Sequence, residues 1–309
     1  MSEHSQVRPL ADADLSGLFA AADDQAVRAQ RTYARTMRIH YTLLVLAATA
    51  GAVSIRVGPG ADPFAIIGAV CFGGSLMLRV YLTSQDSEVT WLRSRSIAET
   101  VRADSWRFAL GVDPYPESLT AAEAKQRFVR EQRDEVHDLG AAAAREGSLA
   151  FVSERMLEVR SAPLPERQRV YLEGRVIDQM TWYARKSERH LQLANRWLLA
   201  MLLAEAAGLS AAVLKASGLI DIDLLGVFGA LASAFGAWSQ MRQHRKTAAI
   251  YRGTASRLAA LGAQGSDGIP AEQWPAFVTE AEAILAEEGG AWRSLRSAEP
   301  GRANEESVG

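Results

Sequence analysis

Cysteine occurs once in the 309 residues, at Cys71 inside an apolar run, so neither a disulfide framework nor a thiolate metal site is available to the chain. Histidine is almost as scarce, with His4, His40, His137, His190 and His244 scattered along the sequence. His190 and His244 fall at the same end of one pair of apolar runs, yet two imidazoles without a nearby third ligand make a poor metal site. No stretch resembles GxxxxGK[ST] or GxGxxG, and no nucleophile stands in a recognisable elbow or relay. Catalysis, a bound cofactor and a bound metal are therefore not expected. An excess of one charge is missing too. The net charge is −2, with arginines interleaved among glutamates, which argues against a nucleic-acid surface. The first thirty residues lack an apolar core segment, so no cleaved signal peptide is expected and the first apolar run would itself direct insertion.

What the chain has is four nearly charge-free runs. Trp197 to Leu214 carries one charge, Glu205, and Leu224 to Met241 carries none; each has eighteen residues. As helix that is about 27 Å, close to the roughly 30 Å hydrocarbon core of a bilayer. Ile39 to Ile55 and Pro63 to Leu78 form a similar earlier pair around the turn Arg56 to Asp62. Basic residues gather at one end of each pair: Arg31, Arg35, Arg38 and Arg79 for the first, and Arg185, Lys186, Arg189, Arg196, Arg242, Arg245 and Lys246 for the second. By the positive-inside rule these ends lie in the cytoplasm. The pattern predicts an all-α membrane protein with four transmembrane helices, about 39–56, 63–79, 197–215 and 224–241, in two tandem hairpins with long cytoplasmic helical extensions. Both termini are placed in the cytoplasm. A soluble helical protein would suit the mean hydropathy of −0.05 and the 23% of charged residues. It would not need a basic bias at the same end of both pairs.

Between the runs, Pro and Gly are absent from Asp24 to Ala50 and from Tyr81 to Leu110, and Glu166 to Ala216 contains only Gly174 and Gly208, so each reads as a long helix. Thr120 to Glu123 is a capping-box signature for a further helix running to about Ala144, with Gly147-Ser148 punctuating the chain after it. Ser161 to Pro165 reads as a unit boundary. The organisation predicted is a first two-transmembrane unit over 10–160, a second over 163–290, and a disordered tail over 291–309. Tyr-Ala-Arg recurs at Tyr33 and Tyr183, each time before a pair of apolar runs, and an aromatic-Arg element follows each pair, at Trp91 with Arg93 and Tyr251 with Arg252. We read this as a tandem duplication.

The segment Tyr171-Leu-Glu-Gly-Arg-Val-Ile-Asp-Gln-Met-Thr-Trp-Tyr-Ala-Arg-Lys186, followed by two apolar runs, resembles the SLATT group, the two-transmembrane effector domains associated with SMODS nucleotidyltransferases and SLOG nucleotide-sensing domains in bacteria. The first pair of runs with Trp91, Arg95, Ala98-Glu99 and Trp106, then Asp113-Pro-Tyr115, is similar to a sister branch of that group, a domain of unknown function. The likeness covers about Asp24 to Leu261. It implies an inner-membrane protein whose spans oligomerise and, in antiphage defence systems, open a pore or perturb the membrane after a nucleotide signal. The chain departs from the simplest form by carrying both branches in tandem, and it shows no SLOG-like sensor or nucleotidyltransferase, so a sensor or synthase would be a separate protein.

Three groups of candidate functional residues follow. Glu205, with Ser210 and Ser233 as possible partners, is the intramembrane polar set, because a mid-bilayer carboxylate must be protonated, paired or facing water. Ala47, Gly51, Ala69, Gly73, Gly226, Gly229 and Gly236 are small residues that permit close span packing, within the chain or between copies. Tyr33, Trp91, Arg95, Glu99, Trp106, Tyr171, Gln179, Trp182, Tyr183 and Tyr251 are assigned to packing of the cytoplasmic helices or to partner contact. Two functions fit: an oligomeric, pore-forming or membrane-perturbing effector in contact with lipid, or a non-conducting membrane scaffold or regulatory subunit whose helices bind a partner protein.

Overall fold

The structure, a computed structural model, describes residues 8–52, 62–84, 87–139, 151–220, 224–266 and 268–297, and every regular element among them is helical. After a single 3-10 turn at Asp12–Asp14 come α1 (Gly17–Ala52), α2 (Pro63–Ser84), α3 (Ser87–Leu110), α4 (Ala121–Glu131) and α5 (Arg133–Leu139). Then follow α6 (Glu154–Ser161), α7 (Leu164–Tyr171), a π-helical segment at Leu172–Ile177, α8 (Asp178–Ala216), α9 (Leu225–Arg242), α10 (His244–Gly265) and α11 (Trp274–Ser297). The turn residues 56–61, the positions 140–150 that include Ala144 and Gly147-Ser148, and the tail beyond 297 lie outside the described residues.

Local chemistry explains several boundaries. Thr120 caps α4 reciprocally: its Oγ1 accepts from the Glu123 amide at 3.3 Å, and the Glu123 carboxylate accepts from the Thr120 amide at 2.9 Å. The helix expected to continue from there breaks between α4 and α5 at Gln132, whose buried side chain donates to Asp104 at 3.0 Å. Ser153 caps α6 by accepting from the Met156 amide at 3.1 Å. In the π segment, a Cβ at Gly174 would lie 2.5 Å from the Pro9 Cβ and 3.3 Å from the Trp106 ring. Only glycine lets that wide turn pass so close to its neighbours.

The chain forms two compact units, each taking segments from both halves of the sequence. The first, the core unit, comprises 1–28, 90–187 and 249–309. Its interior is built from large side chains on α3, α4, α6, α7, α10 and α11, and Leu18, Val101, Phe108, Leu110, Tyr115, Phe128, Met156, Tyr171 and Leu258 are all fully buried. Phe108, Tyr115 and Phe128 pack with ring centroids 5.4 to 5.8 Å apart. The second, the apolar unit, comprises 29–89 and 188–248. Its buried apolar side chains are alanines, among them Ala194, Ala204, Ala211 and Ala232, with Met37 the exception. Its large apolar side chains are outside: Val70 is 69% exposed, Met77 76%, Leu203 61% and Leu209 67%.

The expectation of four spans in two hairpins with extensions is overturned. Among the described residues two helices are long and apolar enough to cross a membrane, Pro63–Leu82 and the continuous helix Leu164–Ala216 with its apolar C-terminal part. The other two runs fall short for visible reasons. In α1 the apolar stretch starts only after Arg38 and is diluted by His40, Tyr41, Thr42 and Thr49 before description stops at Ala52. In α9 three glycines, alanines, serines and the closing Gln240 and Arg242 hold the mean hydropathy down. No clear hairpin-and-extension plan replaces it. Of the most apolar windows in the two qualifying helices, only 6% and 17% is buried, so neither is packed as a core helix within this chain.

Candidate functional site

Glu205 lies on α8 and is exposed, flanked on the same helix by the exposed Leu202, Leu203 and Leu209. The anticipated partners do not reach it. Ser210 donates instead to the Ala206 carbonyl at 2.9 Å, and Ser233 is exposed on α9. Among the described residues Glu205 has no hydrogen-bond or ion-pair partner. A lone carboxylate on an apolar surface costs at least about 2.5 kcal/mol at mid-bilayer on insertion scales, so it calls for a partner from outside this chain, water or a proton.

The small residues divide by what surrounds them. A Cβ at Gly51, Gly73, Gly226 or Gly229 would meet no atom within 4 Å, so no close packing inside the chain requires those glycines. Gly236 does face a neighbour, the Met201 sulfur at 3.6 Å. Sequence reasoning passed over Gly208, where a Cβ would sit 3.2 Å from the Phe228 Cβ, and Gly68, where it would sit 3.4 Å from the Ala47 carbonyl oxygen. Ala47 thus packs through its backbone, while Ala69 is exposed. Residues Gly226, Gly229 and Ser233 are all exposed at helical spacing on one face of α9.

At one end of the apolar unit, His190 of α8 and His244, the first residue of α10, meet with Nδ1 atoms 3.0 Å apart. Gln243, in the left-handed region at φ 44°, makes the turn from α9 that aims His244 inward. Burial, then His190 and Arg242, pull the His244 imidazole down to about 4. Their two rings are the only histidines brought together among the described residues, where no group of three or more His, Cys, Asp or Glu is placed to hold a metal ion. Nearby on α9, Trp238 receives the guanidinium of Arg38 at 5.7 Å and that of Arg242 at 5.8 Å from its ring centroid. Trp197 packs on Trp238 at 6.2 Å and on Phe235 at 5.7 Å.

In the core unit, of the residues assigned to helix packing, Trp91, Trp106, Tyr171 and Tyr183 are buried and Arg95, Glu99, Gln179, Trp182 and Tyr251 are half-buried. Trp91 is buried, and Trp106 meets Tyr171 edge-on at 5.6 Å. Trp182, Tyr183 and Tyr251 form an aromatic triad with centroids 5.0 to 5.7 Å apart, with the Lys186 ammonium over the Trp182 ring at 5.2 Å. Arg95 pairs with Glu99 at 2.6 Å and approaches Asp23 at 3.5 Å. Gln179 donates only to its neighbour Asp178, and Tyr33 is half-buried in the apolar unit.

Sequence reasoning missed the buried polar centre of the core unit. Arg175 and Glu282 are both almost wholly buried and pair at 2.8 and 3.1 Å, and the Tyr171 hydroxyl donates to the same carboxylate at 2.9 Å. Burial alone would lower the Arg175 pKa, but Glu282, with smaller contributions from Glu99 and Tyr171, outweighs it and the net shift is upward. Burial and the adjacent carboxylate push the Tyr171 phenol well above its ordinary range. Burial also works to raise Glu99, yet Arg95, Arg102 and Arg175 together hold it below the usual carboxylate range. These charges are satisfied by one another, so the arrangement fixes helix positions and leaves no free acid or base for chemistry. Arg160 and Arg167 act similarly, donating to the carbonyls of Phe108, Tyr115 and Leu110 at 2.6 to 2.9 Å and so closing the end of α3 and the loop after it.

Comparison with known families assigns nearly the whole described chain. Residues 16–168 match the family model described as SMODS and SLOG-associating 2TM effector domain 3, and residues 171–292 match that of SMODS and SLOG-associating 2TM effector domain 1. No curated protein and no solved structure matches the chain.

Proposed function

The chain belongs to the SLATT group, carrying two of its domains in tandem, and from that premise we propose that it is the membrane effector of a nucleotide-signalled defence system. The observation that carries this reading is the inverted packing of the apolar unit, with alanine inside and leucine, valine and methionine outside. Small residues inside and large apolar ones outside suit a bundle whose solvent is lipid, where close backbone approach and not water exclusion drives helix association. The signal itself would come from a separate nucleotide-sensing or nucleotide-synthesising protein.

Action follows from self-association. The exposed Glu205 and the exposed Gly226, Gly229 and Ser233 face are the surfaces that a second copy would satisfy, Glu205 finding water or a polar group in an assembled pore. The cation-rich end of the apolar unit is assigned to the cytoplasmic face of a bacterial inner membrane.

Reconstitution into liposomes with entrapped dye and a potassium gradient tests the reading, with and without candidate nucleotides. Flux by the wild type, together with altered cation selectivity or pH dependence in Glu205→Gln at unchanged oligomer size, is expected. A monomer that leaves the vesicles tight under every condition would leave the chain as a membrane scaffold. Conduction with identical selectivity and pH profile in the variant would remove Glu205 from the pore.

A further inference from the structure

We propose that Arg38, Arg242 and Trp238 form a binding site for the phosphate of an anionic glycerophospholipid at the basic end of the apolar unit; the proposal rests on the membrane reading above. Two guanidinium groups from helices more than 200 residues apart in sequence are drawn to one indole, at 5.7 and 5.8 Å from its centroid. A guanidinium resting on an aromatic face keeps its N–H fork available for a bidentate contact with phosphate oxygens. Arg38 is exposed, and among the described residues no carboxylate pairs with it. Charge balance at this end is lopsided. Arg31, Arg35, Arg189, Arg196, Arg245 and Lys246 likewise form no ion pair among the described residues, whereas the core unit pairs Arg95, Arg102, Arg107, Arg167, Arg169 and Arg175 with its own carboxylates. Arg38 thus has no carboxylate among the described residues competing for its guanidinium, which leaves it open to an external anion.

The surroundings favour a lipid as the source of that anion. Trp197, which packs on Trp238, opens the apolar part of α8, and the next two residues, Leu198 and Leu199, are 39% and 58% exposed. Tryptophan at the start of an apolar helix marks the headgroup level of a bilayer, with acyl chains beside the leucines that follow. A phosphate seated between Arg38 and Arg242 would therefore have its chains where apolar surface waits for them. Basic groups within a Debye length of the membrane attract anionic lipid generally, but two arginines converging on a ring select a particular headgroup position.

The full chain in nanodiscs of phosphatidylcholine with graded phosphatidylglycerol, followed by gentle extraction and native mass spectrometry, reads both lipid identity and number. The wild type is expected to retain phosphatidylglycerol in preference to phosphatidylcholine. Arg38→Gln and Arg242→Gln should each cut that preference about fivefold. Arg38→Lys, which keeps the charge and loses the fork, should fall between wild type and Arg38→Gln. Arg31→Gln removes the same charge outside the site and should change retention less than twofold. An equal loss in Arg31→Gln and Arg38→Gln would replace the site with a diffuse basic surface and overturn the proposal. Displacement of the lipid by millimolar inorganic phosphate would reassign the site to a soluble anion and overturn it as well. Flotation with liposomes in a density gradient separates the two levels: a chain that fails to float sinks the membrane reading, while one that floats but shows no lipid preference sinks the site alone.

Discussion

The core unit and the apolar unit are made from the same helical chain by opposite packing rules. In the core unit Phe128, Tyr115 and Met156 are inside and charges close into pairs such as Arg175 with Glu282. In the apolar unit Ala204 and Ala211 are inside, Phe72 is 61% exposed, and cations such as Arg38 and Arg196 have no carboxylate partner among the described residues. Water explains the first, since excluding large apolar side chains from it is the main driving force for packing. It cannot explain the second, in which the side chains with most to gain from burial are left out. A single protein therefore carries two solvents' worth of design.

Truncation of large side chains should break or sharpen this contrast most strongly. Phe128→Ala should destabilise the core unit by about 3 to 5 kcal/mol, because a fully buried ring leaves a cavity. Phe72→Ala on the exposed face of α2 should change detergent-solubilised stability by less than about 0.5 kcal/mol. Chemical denaturation in a mild detergent measures both. A loss of several kcal/mol from Phe72→Ala would mean that a second copy or a hidden interior buries that face and that the exposed surface is not bathed in lipid.

Additions should rank the other way. Leucine at Gly208 must extend from a Cβ already 3.2 Å from Phe228, so Gly208→Leu should cost about 1 to 3 kcal/mol by overpacking the apolar unit. Gly253→Ala in α10 of the core unit meets nothing within 4 Å and should stabilise by about 0.5 to 1 kcal/mol through helix propensity. Thermal melts of the two variants decide it. A neutral Gly208→Leu would show that α8 and α9 separate easily.

These positions also mark what could be read from the chain and what could not. The Thr120 capping box and the unbroken helices α1 and α8 were legible because they depend on neighbours in sequence. His190 and His244 could be placed at one end of the apolar runs, and the structure brings them into contact. Tyr171 and Arg175 stood in the segment singled out from the sequence, but their meeting with Glu282 could not be read, since the members lie up to 111 residues apart and charged residues in helices are ordinarily solvated. Counting spans failed where glycine, alanine and serine made α9 look free of charge without making it strongly apolar. Gly208 was passed over for a related reason: when a helix is small or apolar nearly all round, the pattern does not say which face meets a neighbour within the chain.

The last contrast is a pH dependence that His244 confers on the apolar unit. His244 is 3% exposed, faces His190 at 3.0 Å, and is held down to about 4 by burial first and by His190 and Arg242 after it. In the unfolded chain an ordinary histidine titrates near 6.5. Between these values the unfolded state binds the extra proton and the folded state does not, so stability rises with pH through the window and is lost as the pH falls from about 6.5 toward 4. Asp104 in the core unit, whose carboxyl burial raises above its ordinary value, adds a pH dependence of its own. The informative quantity is therefore the difference between the wild type and His244→Gln. The variant should lose at most one proton's worth of pH slope, and hydrogen exchange should locate the change in the helix segments around 190 and 244 while α3 and α6 keep their protection. The same slope in both proteins between pH 4 and 6.5 would mean that His244 reaches water more readily than its burial implies. Acid loosening that began in α3 would place the weaker packing in the core unit and reverse the contrast between the two.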